Sequence, residues 1–271
     1  MHNHTISTPQ KPLRVGLMGY GKAGQAVAHV LQEDPRCSLQ WVARKRAGET
    51  SHLKHSTIPF APADQDWNAW LDEHPVDAIV DFSQPDAIYQ YGPSMAERGI
   101  MLVSANSAYQ PEHLEFLAGL GRKTQILCSP NITLGINFLI LAAKLLRNIA
   151  PFADVAILEQ HFKEKEEISG TARRIAETLS VEEDQITSLR LGGIVGHHEV
   201  IFGFPYQTVR LIHNSIKREA FGTGAVFALH ELETCPPGMY NFDELLERRM
   251  RQSLLQGTAC EGAGDPPPAL A

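Results

Sequence analysis

A short apolar run, Leu13 to Met18, leads directly into Gly19-Tyr20-Gly21-Lys22-Ala23-Gly24. A helical pattern then runs from Gln25 to Glu33, with Ala26, Val27, Val30 and Leu31 apolar, and a second apolar run spans Leu39 to Ala43. Strand, glycine loop, helix and strand in this order specify a βαβ unit, the setting in which a GxGxxG match carries meaning. The glycines permit a tight turn, let the backbone approach a pyrophosphate and allow close packing of helix on strand. The free N–H groups at the helix start then face the anion. A glycine turn before an ordinary helix and a loop for an adenosyl cofactor would use the same residues, so the loop alone does not name the ligand.

The alternation continues. Apolar strands are expected at Ala78–Phe82, Ile100–Val103 and Ile126–Cys128, with helical patterns at Ala87–Arg98 and Pro111–Leu120 between them. Repeated strand–helix alternation predicts an α/β fold, a doubly wound parallel sheet that binds ligands beyond the carboxyl ends of its strands. Those ends carry Phe82-Ser83, Ser104 to Ser107 with Asn106, and Ser129-Pro130-Asn131, which are expected to line the cofactor cleft beside Gly19 to Gly24. After Asn131 the pattern changes to a long apolar helix, Leu134 to Ile149. Strand-like runs follow at Ala153–Glu159, Ile186–Leu191, Val200–Phe204 and Thr208–Asn214, interrupted by a helix near Ala172–Leu179. Short links between successive strands predict a smaller α+β domain with a mixed or antiparallel sheet. Helices are expected at Phe221–Leu232 and Asn241–Met250. The expected division is a dinucleotide domain over residues 1–132, a substrate domain over 133–217, and a disordered Gly/Pro/Ala-rich tail over 257–271.

The chain has 271 residues, 43% of them hydrophobic, and a net charge of −7. That balance argues against nucleic acid as partner, because there is no basic stripe to displace counterions. The polar start of the chain, Met1 to Pro12, has no apolar stretch of the signal-peptide kind, and no run approaches membrane-spanning length. Cys37, Cys128, Cys235 and Cys260 lack metal or CxxC spacing and read as reduced thiols of a cytoplasmic protein. In an acidic chain the run Arg44-Lys45-Arg46 stands out. It follows the second strand, where an NAD site would carry Asp or Glu for the ribose 2′-hydroxyl. Cations there suit a 2′-phosphate, so NADPH is expected, with NADH possible.

His161 closes an apolar strand and Lys165 follows four residues later. A histidine can donate a proton near neutral pH. A nearby lysine can stabilise developing negative charge or hold a carboxylate. Ser169-Gly170-Thr171 opens a helix and offers hydroxyl and N–H donors to an anion, and it would equally serve as an ordinary N-cap. His197-His198 lacks a third ligand at recognisable spacing, so no metal is expected. His52 and His55 read as solvated loop residues, and the serines lack a nucleophile elbow.

These residues, in order from about Leu13 to Leu246, resemble the dihydrodipicolinate reductase family. Val15–Gly24 is similar to its nucleotide loop, with Lys22 at a position usually basic. Asp81-Phe82-Ser83 and Ser129-Pro130-Asn131 with Gly135 and Asn137 resemble its strand ends. Glu159-Gln160-His161 through Thr171-Ala172 resembles its Glu-x-His-His-x-x-Lys-x-Asp-Ala-Pro-Ser-Gly-Thr-Ala signature. Arg190 to Glu199 and Phe221-Gly222-Thr223-Gly224-Ala225 resemble two further segments. The resemblance implies that His161 is the proton donor and Lys165 its support. It also implies that Ser169, Gly170 and Thr171 hold a substrate carboxylate, and that Lys45 lies near the adenosine ribose. A small cyclic dicarboxylate-like substrate, C-terminal helices (218–256) that complete the nucleotide domain, and a homotetramer are likewise implied. The chain departs from the pattern at Phe162, where the family has a second histidine, and at Glu167-Ile168, one residue shorter than Asp-Ala-Pro. It departs again at Ser104-Ala105-Asn106-Ser107, where the family has Gly-Thr-Thr-Gly. These departures leave open a reductase of another cyclic imine or enamine acid, and a nucleotide-binding regulator.

Overall fold

The computed structural model describes residues 11–44, 58–62 and 65–255. Lys45, Arg46, His52, His55 and the 257–271 tail therefore lie outside the described residues, as does most of the stretch before Pro12.

Strand β1 (Leu13–Met18) passes through the glycine loop into helix α1 (Lys22–Glu33) and strand β2 (Cys37–Arg44). The helix starts three residues earlier than its apolar spacing indicated. Lys22, Ala23 and Gly24 thus form its first turn, the turn whose N–H groups have no intrahelical acceptor. Its buried residues, Gly24, Val27, Ala28 and Leu31, follow the i, i+3, i+4, i+7 spacing of one helix face.

The alternation continues through β3 (Phe60–Pro62), α2 (Trp67–Glu73), β4 (Ala78–Asp81), α3 (Ala87–Glu97), β5 (Met101–Ser104), α4 (Pro111–Leu120) and β6 (Gln125–Cys128). With β11 (Gly238–Tyr240) these strands form a seven-stranded sheet in the order β11-β6-β5-β4-β1-β2-β3, every pair parallel. The order reverses between β1 and β4, so the glycine loop sits at the switch point of a doubly wound sheet. One face is covered by α1, α7 (Ala220–Leu232) and α8 (Phe242–Leu255). The other is covered by α2, α3 and α4.

Helix α5 (Leu134–Ile149) carries the chain into the second sheet and contributes to both cores, Leu141 to the first and Ile136, Leu139 and Ile140 to the other. That sheet contains β7 (Asp154–His161), β8 (Ile186–Arg190), β9 (Gly196–Phe204) and β10 (Gln207–Ser215), in the order β10-β9-β7-β8. β7 pairs parallel with β8, and the other pairs are antiparallel, so the sheet is mixed. Helix α6 (Gly170–Leu179) packs on it through Ala172, Ile175, Ala176 and Leu179. The chain then returns to the first sheet. A Cβ at Gly222 of α7 would lie 2.5 Å from Val30 Cβ, and one at Gly224 would lie 1.7 Å from the Ile132 carbonyl oxygen. Both positions require glycine for α7 to approach so closely.

Candidate active site

The nucleotide end is built from backbone. Gly19 has φ +89°, and a Cβ there would lie 2.6 Å from the Phe82 carbonyl oxygen. A Cβ at Gly24 would lie 2.2 Å from the Gly19 carbonyl oxygen. The loop therefore folds back on its own helix. Gly21 has open space where a side chain would be, and no side chain caps α1. What remains is a cradle of N–H donors at a helix start, which fits a pyrophosphate. Tyr20 stands edge-on to Phe60, their rings 5.6 Å apart, and the Arg44 guanidinium lies 4.4 Å from the centroid of the same ring. Arg44 thus stands at the end of β2, stacked on an aromatic plate.

The strand ends behave differently from one another. Asp81 is fully buried; burial pushes its carboxyl up, against the bonds donated by the Ser83 N–H and the Tyr91 hydroxyl. Asn106 Nδ2 donates to the Ser83 carbonyl (3.1 Å), tying the loops after β4 and β5 together. Ser129 Oγ donates to the Asn131 carbonyl (3.0 Å), and Asn131 Oδ1 accepts from the Thr133 N–H (2.9 Å). Phe82 packs against Phe221 of α7, ring centroids 5.9 Å apart. Ser104 does not reach the cleft through its side chain. It is fully buried, and its hydroxyl bonds to that of Tyr109 (2.9 Å). Its side chain is turned into the core, as the last residue of a strand inside a sheet can be.

The second end is a cavity of about 330 Å³ between the two sheets. Asn131 and Phe221 line it from the nucleotide side, and His161, Ser169, Thr171 and His198 from the other. His161 Nδ1 bonds to Glu159, a residue with no solvent exposure. Glu159 also accepts from Ser188 Oγ (2.7 Å) and Arg190 Nη2 (2.8 Å). Burial alone would raise the Glu159 carboxyl; the bonds from Arg190, Ser188 and His161 outweigh it and hold it at about 2. A buried carboxylate that stays charged near neutral pH therefore fixes the imidazole. The His161 ring meets that of His198 edge-on at 5.3 Å, and His198 Nε2 bonds to Ser169 Oγ (2.9 Å). Burial, with the facing His161 and His213, pushes the His198 imidazole down to about 3, so it is neutral near neutral pH.

Ser169 caps α6 by position but not by side chain. Its hydroxyl goes to His198, which leaves the N–H groups of the first turn, at Gly170 and Thr171, without a side-chain acceptor. Lys165 lies on the loop after β7, where its carbonyl accepts from Arg190 Nε (2.7 Å) and its N–H donates to the Phe162 carbonyl (3.1 Å). The structure gathers His161, Ser169, Thr171 and Asn131 on one cavity. It does not bring Lys165 to the wall of that cavity. Sequence reading missed His198 as a cavity residue because the apolar run indicated a strand beginning at Val200. The strand in fact begins at Gly196, and period-two alternation then puts His198 on the inner face with Val200 and Phe202. Lys217 and Arg218, which also line the cavity, fall between elements and carry no pattern. Among the described residues, no three His, Cys, Asp or Glu side chains are placed to hold a metal ion, and no helix is long and apolar enough to cross a membrane.

An anion cradle on one sheet and a proton-bearing cavity beside the other place the protein among the pyridine-nucleotide-dependent oxidoreductases. Family models for the N-terminus and C-terminus of dihydrodipicolinate reductase match residues 13–132 and 132–246. The chain belongs to the dihydrodipicolinate reductase family. A 4-hydroxy-tetrahydrodipicolinate reductase of Stenotrophomonas maltophilia is 30% identical over 88% of this chain and 99% of its own. One from Caldanaerobacter subterraneus subsp. tengcongensis is 28% identical over 84% of this chain and 95% of its own. The fold matches that of a dipicolinate-bound dihydrodipicolinate reductase from Paenisporosarcina sp. TG-14, with a TM-score of 0.73 at 21% identity, over 85% of this chain and 97% of that one.

Proposed function

We propose that this protein reduces dihydrodipicolinate, formed from 4-hydroxy-tetrahydrodipicolinate, to tetrahydrodipicolinate, a step in lysine and diaminopimelate synthesis. The observation that carries the reading is His161, tethered by a buried carboxylate at the wall of a cavity that opens between the nucleotide sheet and the second sheet. When bound, the dinucleotide supplies a hydride. His161 supplies the proton that balances it, and Glu159 holds its ring in place. Ser169, Gly170 and Thr171 receive one substrate carboxylate through hydroxyl and N–H donors, while Lys165, to which the resemblance gives a supporting role, stands outside the cavity wall.

For the cofactor, Gly19 to Gly24 with Tyr20, Lys22 and Ala23 receive the pyrophosphate, while Phe82, Ser83, Asn106, Ser129 and Asn131 border the nicotinamide end. Arg44 on its aromatic plate and the neighbouring Lys45 favour NADPH over NADH, since a 2′-phosphate gains charge-assisted bonds that a hydroxyl cannot match. The nucleotide domain comprises residues 1–132 completed by 218–256, and residues 133–217 form the substrate and assembly domain of a homotetramer. The free thiols Cys37, Cys128 and Cys235 suit a cytoplasmic location.

Phe162 is 41% exposed and does not line the cavity. Replacing the family's second histidine therefore leaves space for the same substrate rather than filling it. The test is NADPH oxidation with freshly generated dihydrodipicolinate. Turnover supports the assignment. Nucleotide binding without turnover on it would return the choice to another cyclic imine or a regulatory role.

A further inference from the structure

Among the described residues, none lining the cavity is acidic, although the chain as a whole carries a net charge of −7. Its only lysine or arginine side chains come from the linker between β10 and α7, as Lys217 and Arg218. Neither is ion-paired with a carboxylate among the described residues. The linker backbone is fixed: the Ala220 N–H donates to the Lys217 carbonyl (3.3 Å) and the Phe221 N–H to that of Arg218 (2.9 Å). Phe221 in turn packs on Phe82, at the carboxyl end of β4. The turn at Ser169–Thr171 forms a separate wall and offers neutral donors only. Lys165, the cation that sequence pattern would assign to a carboxylate, is not part of the lining, and neither is Phe162.

A dianionic ring needs two anion contacts, and burying a carboxylate without a partner is costly. The cavity offers two places for them: the α6 turn, and the linker cations. We propose that Lys217 receives the second carboxylate of the substrate, so that selection for a dicarboxylate over a monocarboxylate resides in the β10–α7 linker of this chain. The proposal rests on the substrate reading above and extends it to the residue that sets ligand class. Arg218, next along the linker, faces the same cavity and adds to its positive potential.

The experiment is calorimetric titration of the full-length protein, saturated with NADPH, using pyridine-2,6-dicarboxylate and pyridine-2-carboxylate. Wild type, Lys217→Met and Lys217→Arg are compared. The wild type should prefer the dicarboxylate. Lys217→Met should lose about tenfold or more in dicarboxylate affinity, the size of one charge-assisted contact, with monocarboxylate affinity little changed. Lys217→Arg should keep most of the preference. KM for dihydrodipicolinate should rise in Lys217→Met with a smaller change in kcat. Equal losses for both ligands, a loss confined to NADPH affinity, or unchanged dicarboxylate affinity would each overturn the subsite. A wild type that prefers the dicarboxylate yet fails to oxidise NADPH with dihydrodipicolinate would sink the substrate assignment alone.

Discussion

Glu159 and His161 occupy alternate positions of β7, so both face the core side of the second sheet, where Arg190 and Ser188 from β8 complete the set. The buried carboxylate holds the imidazole through its Nδ1, which leaves Nε2 for the cavity. Replacing His161 with Ala should lower kcat by roughly a hundredfold or more, the size expected of a general acid. NADPH affinity should change little, because the cradle is on the other sheet. Glu159→Gln keeps the shape but removes the charge. It should lower kcat by loosening the hold on the ring, with NADPH affinity little changed; an unchanged kcat would reduce Glu159 to a packing role. The same residues dictate acid sensitivity. The His198 imidazole falls from 6.5 in the ordinary state to about 3, and the Glu159 carboxyl from 4.5 to about 2. In both windows the unfolded chain binds more protons than the folded one, so stability rises with pH there and is lost on acidification. Tm should begin to fall as pH drops below 6.5 and fall further below 4.5. His198→Gln should flatten the upper part of that curve and Glu159→Gln the lower part, as read by calorimetry across the series. Arg44 belongs at this scale too. Arg44→Ala should weaken NADPH by roughly 1.5–3 kcal/mol, the size of a charge-assisted bond, with little change for NADH. Parallel titrations of the two nucleotides check this, and equal effects on both would remove Arg44 from cofactor selection.

Elements differed in how openly the sequence declared them. Helix α4 and helix α5 match the expected bounds, because proline at the start of one and a long apolar run in the other leave few alternatives. β3 and β11 have three residues each, too few to display alternation, and they exist because neighbouring strands offer an open edge: β3 pairs on β2 and β11 on β6. Helix α2 has seven residues and is set by Asp66, whose carboxylate accepts from the Asn68 and Ala69 N–H groups. That signal was present but brief. The glycine loop was the most legible part of the site, whereas the cavity depended on which face β9 presents, and an error of four residues at its start hid His198. The close contacts at glycine give an element-scale test. Gly24→Ala places a methyl group against the Gly19 carbonyl, so the loop must open away from α1. NADPH affinity should drop at least about tenfold while the fold survives, since overpacking costs roughly 1–3 kcal/mol. Gly224→Ala meets the Ile132 carbonyl instead and should lower Tm with less effect on nucleotide affinity at temperatures where the protein stays folded. If the two variants behaved alike, the loop would not be a dedicated cradle.

At the scale of the whole molecule, the two faces of the second sheet differ in what they present. Cross-strand partners share a face, so the row His213, His198, Glu159 and Ser188 looks toward the helices and the cavity. The adjacent row Ile212, Glu199, Leu158 and Thr187, and the next, Asn214, His197, Gln160 and Leu189, look the other way. Ile212 and Leu189 are thus large apolar side chains on an outer face, both substantially exposed. They lie on the two edge strands, β10 and β8, with Glu199, His197 and Gln160 in the rows between them. A homotetramer would cover this face, and the site behind it would gain rigidity because both rows belong to the same strands. Burying an Ile or Leu side chain is worth roughly 1.5–3 kcal/mol, so a charge at each position in every subunit should break the assembly. Sedimentation velocity of the wild type should show a tetramer, and the pair Ile212→Asp with Leu189→Asp should sediment as a smaller species with lower Tm. Should the wild type sediment as a monomer, or the pair retain its assembly, the outer face would have no part in association.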